Sequence, residues 1–227
     1  MVNGGIGRFF IVLVADQIES RGYSSSEKRR LDENTLNCMN TIAKDFPDSF
    51  VSGSKTLGDE FEIVLSDPDD VFNVITYIKQ LIGTKLHIGI GVGNIESEIL
   101  ARPSDMYGGA FTLSREAINK AKNLDSHIYI NLDDETVTRR VNVMNDLIQF
   151  TLSKLTPRQT EHYYSIRYLS VKTGILDKQI AERLSISPPM VSKIKARSGY
   201  DYIENAERLV CDLLKDYIKD IISIKTG

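Results

Sequence analysis

Only two cysteines occur in 227 residues, Cys38 and Cys211. They stand far apart and show no metal-ligand spacing, which excludes a disulfide framework or a cysteine-paired zinc site. Each sits beside apolar residues in a helical pattern, the setting of a reduced, buried thiol. The three histidines show no ligand spacing either. His87 alternates with apolar residues and reads as structural. No serine, cysteine or histidine arrangement suggests a covalent nucleophile. Long apolar runs are missing too. The longest near the start, Phe9 to Ala15, stops at Asp16, whereas a membrane helix needs about 20 residues. No small-residue cleavage site follows it. Neither a membrane partner nor a signal peptide is therefore expected, and the expected compartment is the cytoplasm. There is no internal repeat and no low-complexity stretch.

Hydrophobic residues make up 41% and charged residues 26%. These are values of a soluble globular chain, and they exclude disordered and fibrous classes. The net charge is −3, so the molecule as a whole is not a polyanion binder. The charge is split, however. Residues 151–227 carry 13 basic against 9 acidic side chains, which leaves 15 against 22 in residues 1–150. Such a split points to two jobs, with nucleic acid a candidate partner of the second half.

The pattern of apolar residues predicts β-α-β-β-α-β-α-β over the first part of the chain. Phe9 to Ala15 reads as a strand covered on both faces. A helix follows with Leu31, Leu36, Met39, Ile42 and Phe46 on one stripe. Phe50 to Thr56 and Phe61 to Leu65 form a hairpin around Gly58-Asp59. A helix from Asp69 to Ile82, a strand from Leu86 to Val92, a helix from Gly108 to Lys122 and a strand from His127 to Asn131 complete an α/β sheet. A helix over Asp133 to Leu155 reads as a connector. Thr156-Pro157 is a helix start. Helices are predicted over 157–172, 177–184 and 188–197, and a last one over Tyr202 to Ile224. The expected division is an α/β domain over residues 1–132, a connector over 133–155 and an all-α domain over 156–227. The last helix carries Ile203, Ala206, Val210, Leu213, Tyr217, Ile221 and Ile224 at near-heptad spacing. That seam either pairs two chains in a homodimer or covers the α/β domain.

Asp16 ends a buried strand, and Asp59 lies in the hairpin turn. If the hairpin pairs beside the first strand, the two carboxylates meet at one sheet edge. Facing carboxylates repel, which favours a shared Mg2+ or Mn2+ with a nucleotide phosphate completing the shell. Glu60 or Glu62 would add a third oxygen. Arg21 stands near enough to Asp16 to reach a phosphate there or to make a surface salt bridge, and Lys55 lies in the hairpin strand, where a solvated lysine is the ordinary reading. Each carboxylate taken singly is an ordinary turn residue.

These residues resemble known patterns. Lys55-Thr-Leu-Gly-Asp-Glu-Phe61 resembles the hairpin of class III nucleotide cyclases and related palm domains, and Val14-Ala-Asp16 their first metal strand. Ile88-Gly-Ile-Gly-Val92 resembles their next core strand, and Tyr107 to Ala117 the segment opening the following helix. The chain over roughly residues 8–200 more closely resembles the SatD family. That likeness rests on Asp16-Gln-Ile-Glu-Ser-Arg21, on Gly58 to Phe61, on Arg115 to Ile118 and on a C-terminal helix-turn-helix. The cyclase and palm likeness implies a ferredoxin-like palm, metal carboxylates at Asp16 and Asp59 and a nucleotide contact from Lys55; Arg21 and Arg115 are further nucleotide candidates, Arg115 one position off the cyclase arginine. The departures matter as much. Aligned on Gly108, the cyclase positions for the base, an asparagine and the transition-state arginine fall at Gly109, Thr112 and Glu116. A glycine cannot read a base, and a glutamate repels phosphates where an arginine should attract them. Cyclase chemistry is therefore not expected.

Lys178 to Ile194 carries the strongest motif. Ile180, Ala181 and Leu184 form the inner face of one short helix, and Ile186 plugs the turn. Ser187 is the expected cap of the next helix, with Pro188 at its first position. Val191 and Ile194 face the core. Pro189, Met190, Ser192, Lys193 and Arg197 point outward, as a recognition helix requires in the major groove. Ser187 and Lys195 are further candidates for contact with double-stranded DNA. Residues 183–197 hold four basic side chains and no acid. Together with Leu155-Thr-Pro-Arg-Gln159 the segment resembles sigma-factor region 4 and response-regulator output domains. Ser185 stands where their turn usually has glycine. The expectation is a cytoplasmic DNA-binding regulator whose palm-like domain senses a metal–nucleotide ligand or serves as a dimerisation scaffold. A divergent cyclase or nucleotidyl transferase with a DNA-targeting tail is the alternative, and a pair of protein-interaction modules is a third.

Overall fold

The computed structural model describes residues 9–18, 22–56, 58–124 and 126–226. The elements follow the expected order: β1 (Phe9–Gln17), α1 (Ser25–Asp45), β2 (Phe50–Lys55), β3 (Glu60–Leu65), α2 (Val71–Ile82), β4 (Leu86–Asn94), α3 (Gly109–Asn123) and β5 (Ile128–Asn131). One sheet forms in the order β2-β3-β1-β4-β5. The β4/β5 pair is parallel, and the other neighbours are antiparallel. β1 lies in the middle, and Ile11 through Ala15 are all buried. A strand covered on both faces reads as a continuous apolar run, which is what the sequence shows there.

Period-two alternation sorts the sheet's side chains onto two layers. Ile11, Leu13, Phe61, Ile63, Ile88 and Ile90 pack against α1 and α2 in the main core. Val12, Val14 and Val64 pack with Ala110 and Ile118 of α3 on the other face. That second layer is unusually close. A Cβ at Gly89 would lie 2.2 Å from the Ile118 nitrogen, and one at Gly91 would lie 2.2 Å from the Ser114 nitrogen. Alternate glycines on β4 thus let the backbone of α3 rest directly on the backbone of the strand.

The helices after β5 are α4 (Glu135–Ser153), α5 (Pro157–Thr173), α6 (Asp177–Arg183), α7 (Pro188–Ser198) and α8 (Tyr200–Thr226). Thr156 caps α5 in a capping box with Gln159, which accounts for the sharp start legible in Thr-Pro. α4 does more than connect. Buried Asn142 accepts from the Ile130 amide at 3.0 Å and donates to the Ile130 carbonyl at 2.6 Å, and Asn145 donates to the Ile128 carbonyl at 2.8 Å. These amides satisfy the outer edge of β5, which would otherwise present unpaired backbone groups.

A smaller core joins Ile148 and Leu152 of α4 with Tyr163, Ile166, Ile180, Ala181, Val191, Ile194 and Ile203. α8 runs from this core onto the main one, where Val210, Leu214 and Tyr217 are buried. Of the two readings of the last seam, the structure shows the second: Ile203, Val210 and Tyr217 cover the chain's own cores, and Ile224 stays exposed. Among the described residues no helix is long and apolar enough to cross a membrane. Cys38 and Cys211 are both free and buried, and burial pushes each thiol up to about 12.

Candidate functional site

The β2–β3 hairpin turns at Gly58, whose φ of +83° is left-handed and suits a residue without a Cβ. β3 then pairs beside β1, as the two-carboxylate reading requires. The register sets Asp16 opposite Glu60, and Val14 opposite Glu62. Asp59 lies one residue further along, in the turn itself. Side chains directly opposite share a face, so Asp16, Glu60 and Glu62 all lie on the layer that α3 covers.

α3 meets these acids with its own cations. Arg115 forks to Glu60 through Nη1 and to Glu62 through Nη2. Lys122 Nζ lies 2.9 Å from Asp16 Oδ2. Glu62 is 2% exposed. Burial pushes its carboxyl above the usual range, and Arg115 pulls it partly back. One of its oxygens, Oε2, is buried without a hydrogen-bond partner among the described residues. Lys55 is ion-paired with Asp32 of α1. A cavity of about 680 Å³ opens between the hairpin and α3, lined by Lys55, Glu60, Glu62, Arg102, Phe111 and Arg115 among others. The structure thus brings Lys55 and Arg115 to one cavity. Arg21 lies outside the described residues.

A divalent ion needs open carboxylate oxygens. Asp16 faces Lys122, and Glu60 and Glu62 share Arg115, with Glu62 Oε2 left without a partner among the described residues. No group of three or more His, Cys, Asp or Glu is arranged to hold a metal among the described residues. A divalent ion on Asp16 and Asp59 would have to displace Lys122 from Asp16. The positions aligned with cyclase catalysis face elsewhere. Gly109, Thr112 and Glu116 line a different cavity of about 750 Å³, and Glu116 accepts from Asn131 Nδ2 at 2.9 Å.

The second region is α7. Ser185 turns the chain after α6 with φ +54°, and the Ile186 amide bonds back to the Ala181 carbonyl at 3.0 Å. Ala181 is buried, and its small side chain fits where α6 meets α7. Ser187 has the extended backbone of a cap, yet its hydroxyl makes no capping bond. Pro188 starts the helix without an unsatisfied N–H. Val191, Ile194 and Ser198 are buried, while Ser187, Pro189, Met190, Ser192, Lys193 and Arg197 are exposed. Ser192 back-bonds weakly to the Pro188 carbonyl at 3.4 Å. Lys195 differs from the others. It is half-buried, its Nζ lies 2.6 Å from Asp177 Oδ1, and it stacks 4.8 Å from the Tyr200 ring centre. It ties α7 to α6 and α8.

The pairing of Arg115 and Lys122 with the strand acids is what the sequence reading missed. A signal was present. Glu60 and Glu62 alternate onto one strand face, and Arg115 and Lys122 stand seven residues apart, two turns along one helix face. A search of curated proteins gives no match. The SatD family model matches residues 10–213, nearly the whole length over which β1 to α8 are built. On that match the chain belongs to the SatD family.

Proposed function

We propose that this chain is a DNA-binding transcriptional regulator in which α6 and α7 form a helix-turn-helix and α7 enters the major groove. The observation that carries the reading is the division of α7 into two faces. Val191, Ile194 and Ser198 are buried, and Pro189, Ser192, Lys193 and Arg197 stand in solvent. Lys193 and Arg197 belong to no ion pair among the described residues, so both charges are open to phosphate or base edges. Lys195 is ion-paired with Asp177, so a DNA phosphate would have to compete with that carboxylate for it.

In the same reading the palm-like α/β domain is the sensing half. Its cavity beside Lys55 and Arg115 is the proposed place for a small effector such as a nucleotide, whose phosphates would have to displace Asp32 from Lys55 and Asp105 from Arg102. No catalytic step is proposed. Asp16 is neutralised by Lys122, and the transition-state positions open onto a separate cavity.

Fluorescence anisotropy of the full chain with a labelled mixed-sequence duplex at low salt tests the DNA reading. Lys193→Ala/Arg197→Ala is expected to weaken binding by about tenfold or more, since each lost phosphate contact removes released counterions. Equal affinity in wild type and double variant would remove α7 as the DNA surface.

A further inference from the structure

A cavity of about 360 Å³ lies between the first turns of α5 and the exposed side of α7. Arg158 and His162 of α5 form one wall. Met190, Lys193 and Arg197 of α7 form the other, and Ile186 lies below them. Both walls follow helix geometry: positions i and i+4 on α5, and i, i+3 and i+7 on α7, each a single stripe. No acidic side chain lines this cavity. Elsewhere in the described chain Lys55, Arg115, Lys122, Arg167 and Lys215 are each held by a carboxylate. Arg158, Lys193 and Arg197 are in none of those pairs and converge on one opening.

Unpaired cations from two helices raise the local positive potential, and with no acid in the lining nothing offsets it. The complementary ligand is an anion presented along the edge of the α7 face. A duplex supplies that as its row of phosphates, because when one helix of such a motif enters the groove its neighbours meet the backbone. An acidic protein segment would meet the same charges, but the cavity is continuous with the exposed face of α7, and that continuity favours DNA. His162 Nδ1 sits 2.7 Å from the Arg158 carbonyl oxygen. The N–H donates there, which holds the ring against the first turn of α5.

We infer that Arg158 is a second DNA-backbone contact, and that a phosphate of the bound duplex sits between Arg158 on α5 and Lys193 and Arg197 on α7. The inference rests on the reading of α7 as the DNA helix. It assigns a role to the Leu-Thr-Pro-Arg-Gln segment, which otherwise only starts a helix.

The test measures affinity for a labelled mixed-sequence duplex at several potassium chloride concentrations between about 50 and 200 mM. Wild type, Arg158→Ala, Arg158→Lys and Lys193→Ala are compared as full chains. Arg158 is exposed and in no ion pair among the described residues, so its removal is expected to leave the fold intact, and thermal melting of the variant checks that. Arg158→Ala is expected to weaken binding about three- to tenfold and to lower the salt slope by about one unit, with Arg158→Lys retaining the slope. If Lys193→Ala lowers the slope and Arg158→Ala leaves it unchanged, the inference fails and the α7 reading stands. If neither variant changes the slope, or the wild type does not bind at the lowest salt, both fail.

Discussion

Ser185 is the one described non-glycine residue with a left-handed backbone. Such a conformation costs an L-residue about 1–2 kcal/mol, and glycine avoids most of that cost while adding some unfolded-state entropy. Ser185→Gly is therefore expected to raise stability by about 0.5–1 kcal/mol, read as a higher urea midpoint at unchanged slope. A lower midpoint would mean that the serine side chain stabilises the turn. This position was legible through the helix-turn-helix resemblance, in which the turn usually carries glycine. Other residues were legible only by half. Asp16 and Glu60 stand out as acids near strand ends, but their partners Lys122 and Arg115 come from a helix far along the chain. Acids that a hairpin brings to one sheet edge suggest a metal. The cations that neutralise them become visible only once the sheet register is known. Lys195 shows the same effect. It belongs to a basic cluster in sequence and to an ion pair with Asp177 in space.

At the scale of elements, strand and helix order was read correctly because the apolar periods are strong. The roles of three elements were not. β4 looked like an ordinary core strand interrupted by glycine. Its glycines instead set the distance to α3, since a Cβ at Gly91 would lie 2.2 Å from Ser114 N and 2.3 Å from the Ala110 carbonyl oxygen. Both obstacles are backbone and cannot rotate away. Gly91→Ala is therefore expected to push α3 off the sheet and to cost about 3 kcal/mol, measured by equilibrium urea unfolding. A cost below about 1 kcal/mol would show that the helix can shift without loss. α4 read as a connector, because Asn142 and Asn145 give no apolar signal, yet those two amides close the β5 edge. The seam of α8 carried a true pattern with two possible partners. Periodicity reports that a face is covered and not by what, and here the cover is the chain's own two cores.

At the scale of the molecule, the acidic α/β half and the basic helical half are fastened at several points. Tyr168 of α5 meets Tyr77 of α2 edge to face at 4.7 Å, and Lys172 lies 3.1 Å from Asp45. Arg167 of α5 and Glu207 of α8 form a buried ion pair. Burial pushes the Glu207 carboxyl above its usual range, and Arg167 pulls it partly back. A buried pair of this kind is costly to break from one side, about 3–5 kcal/mol in comparable cases, so it holds α5 in one orientation on α8. α5 touches both α2 and α7 in this arrangement, so the helix carrying Arg158 is packed against both halves. The proposed role of α7 is to read DNA sequence. Its most direct test is selection of bound duplexes from a random-sequence pool by the full chain, with Lys193→Ala/Arg197→Ala carried in parallel. The account predicts that the wild type enriches a shared motif over successive rounds and the double variant does not. A wild-type pool that stays random, or the same motif enriched by both proteins, would contradict it.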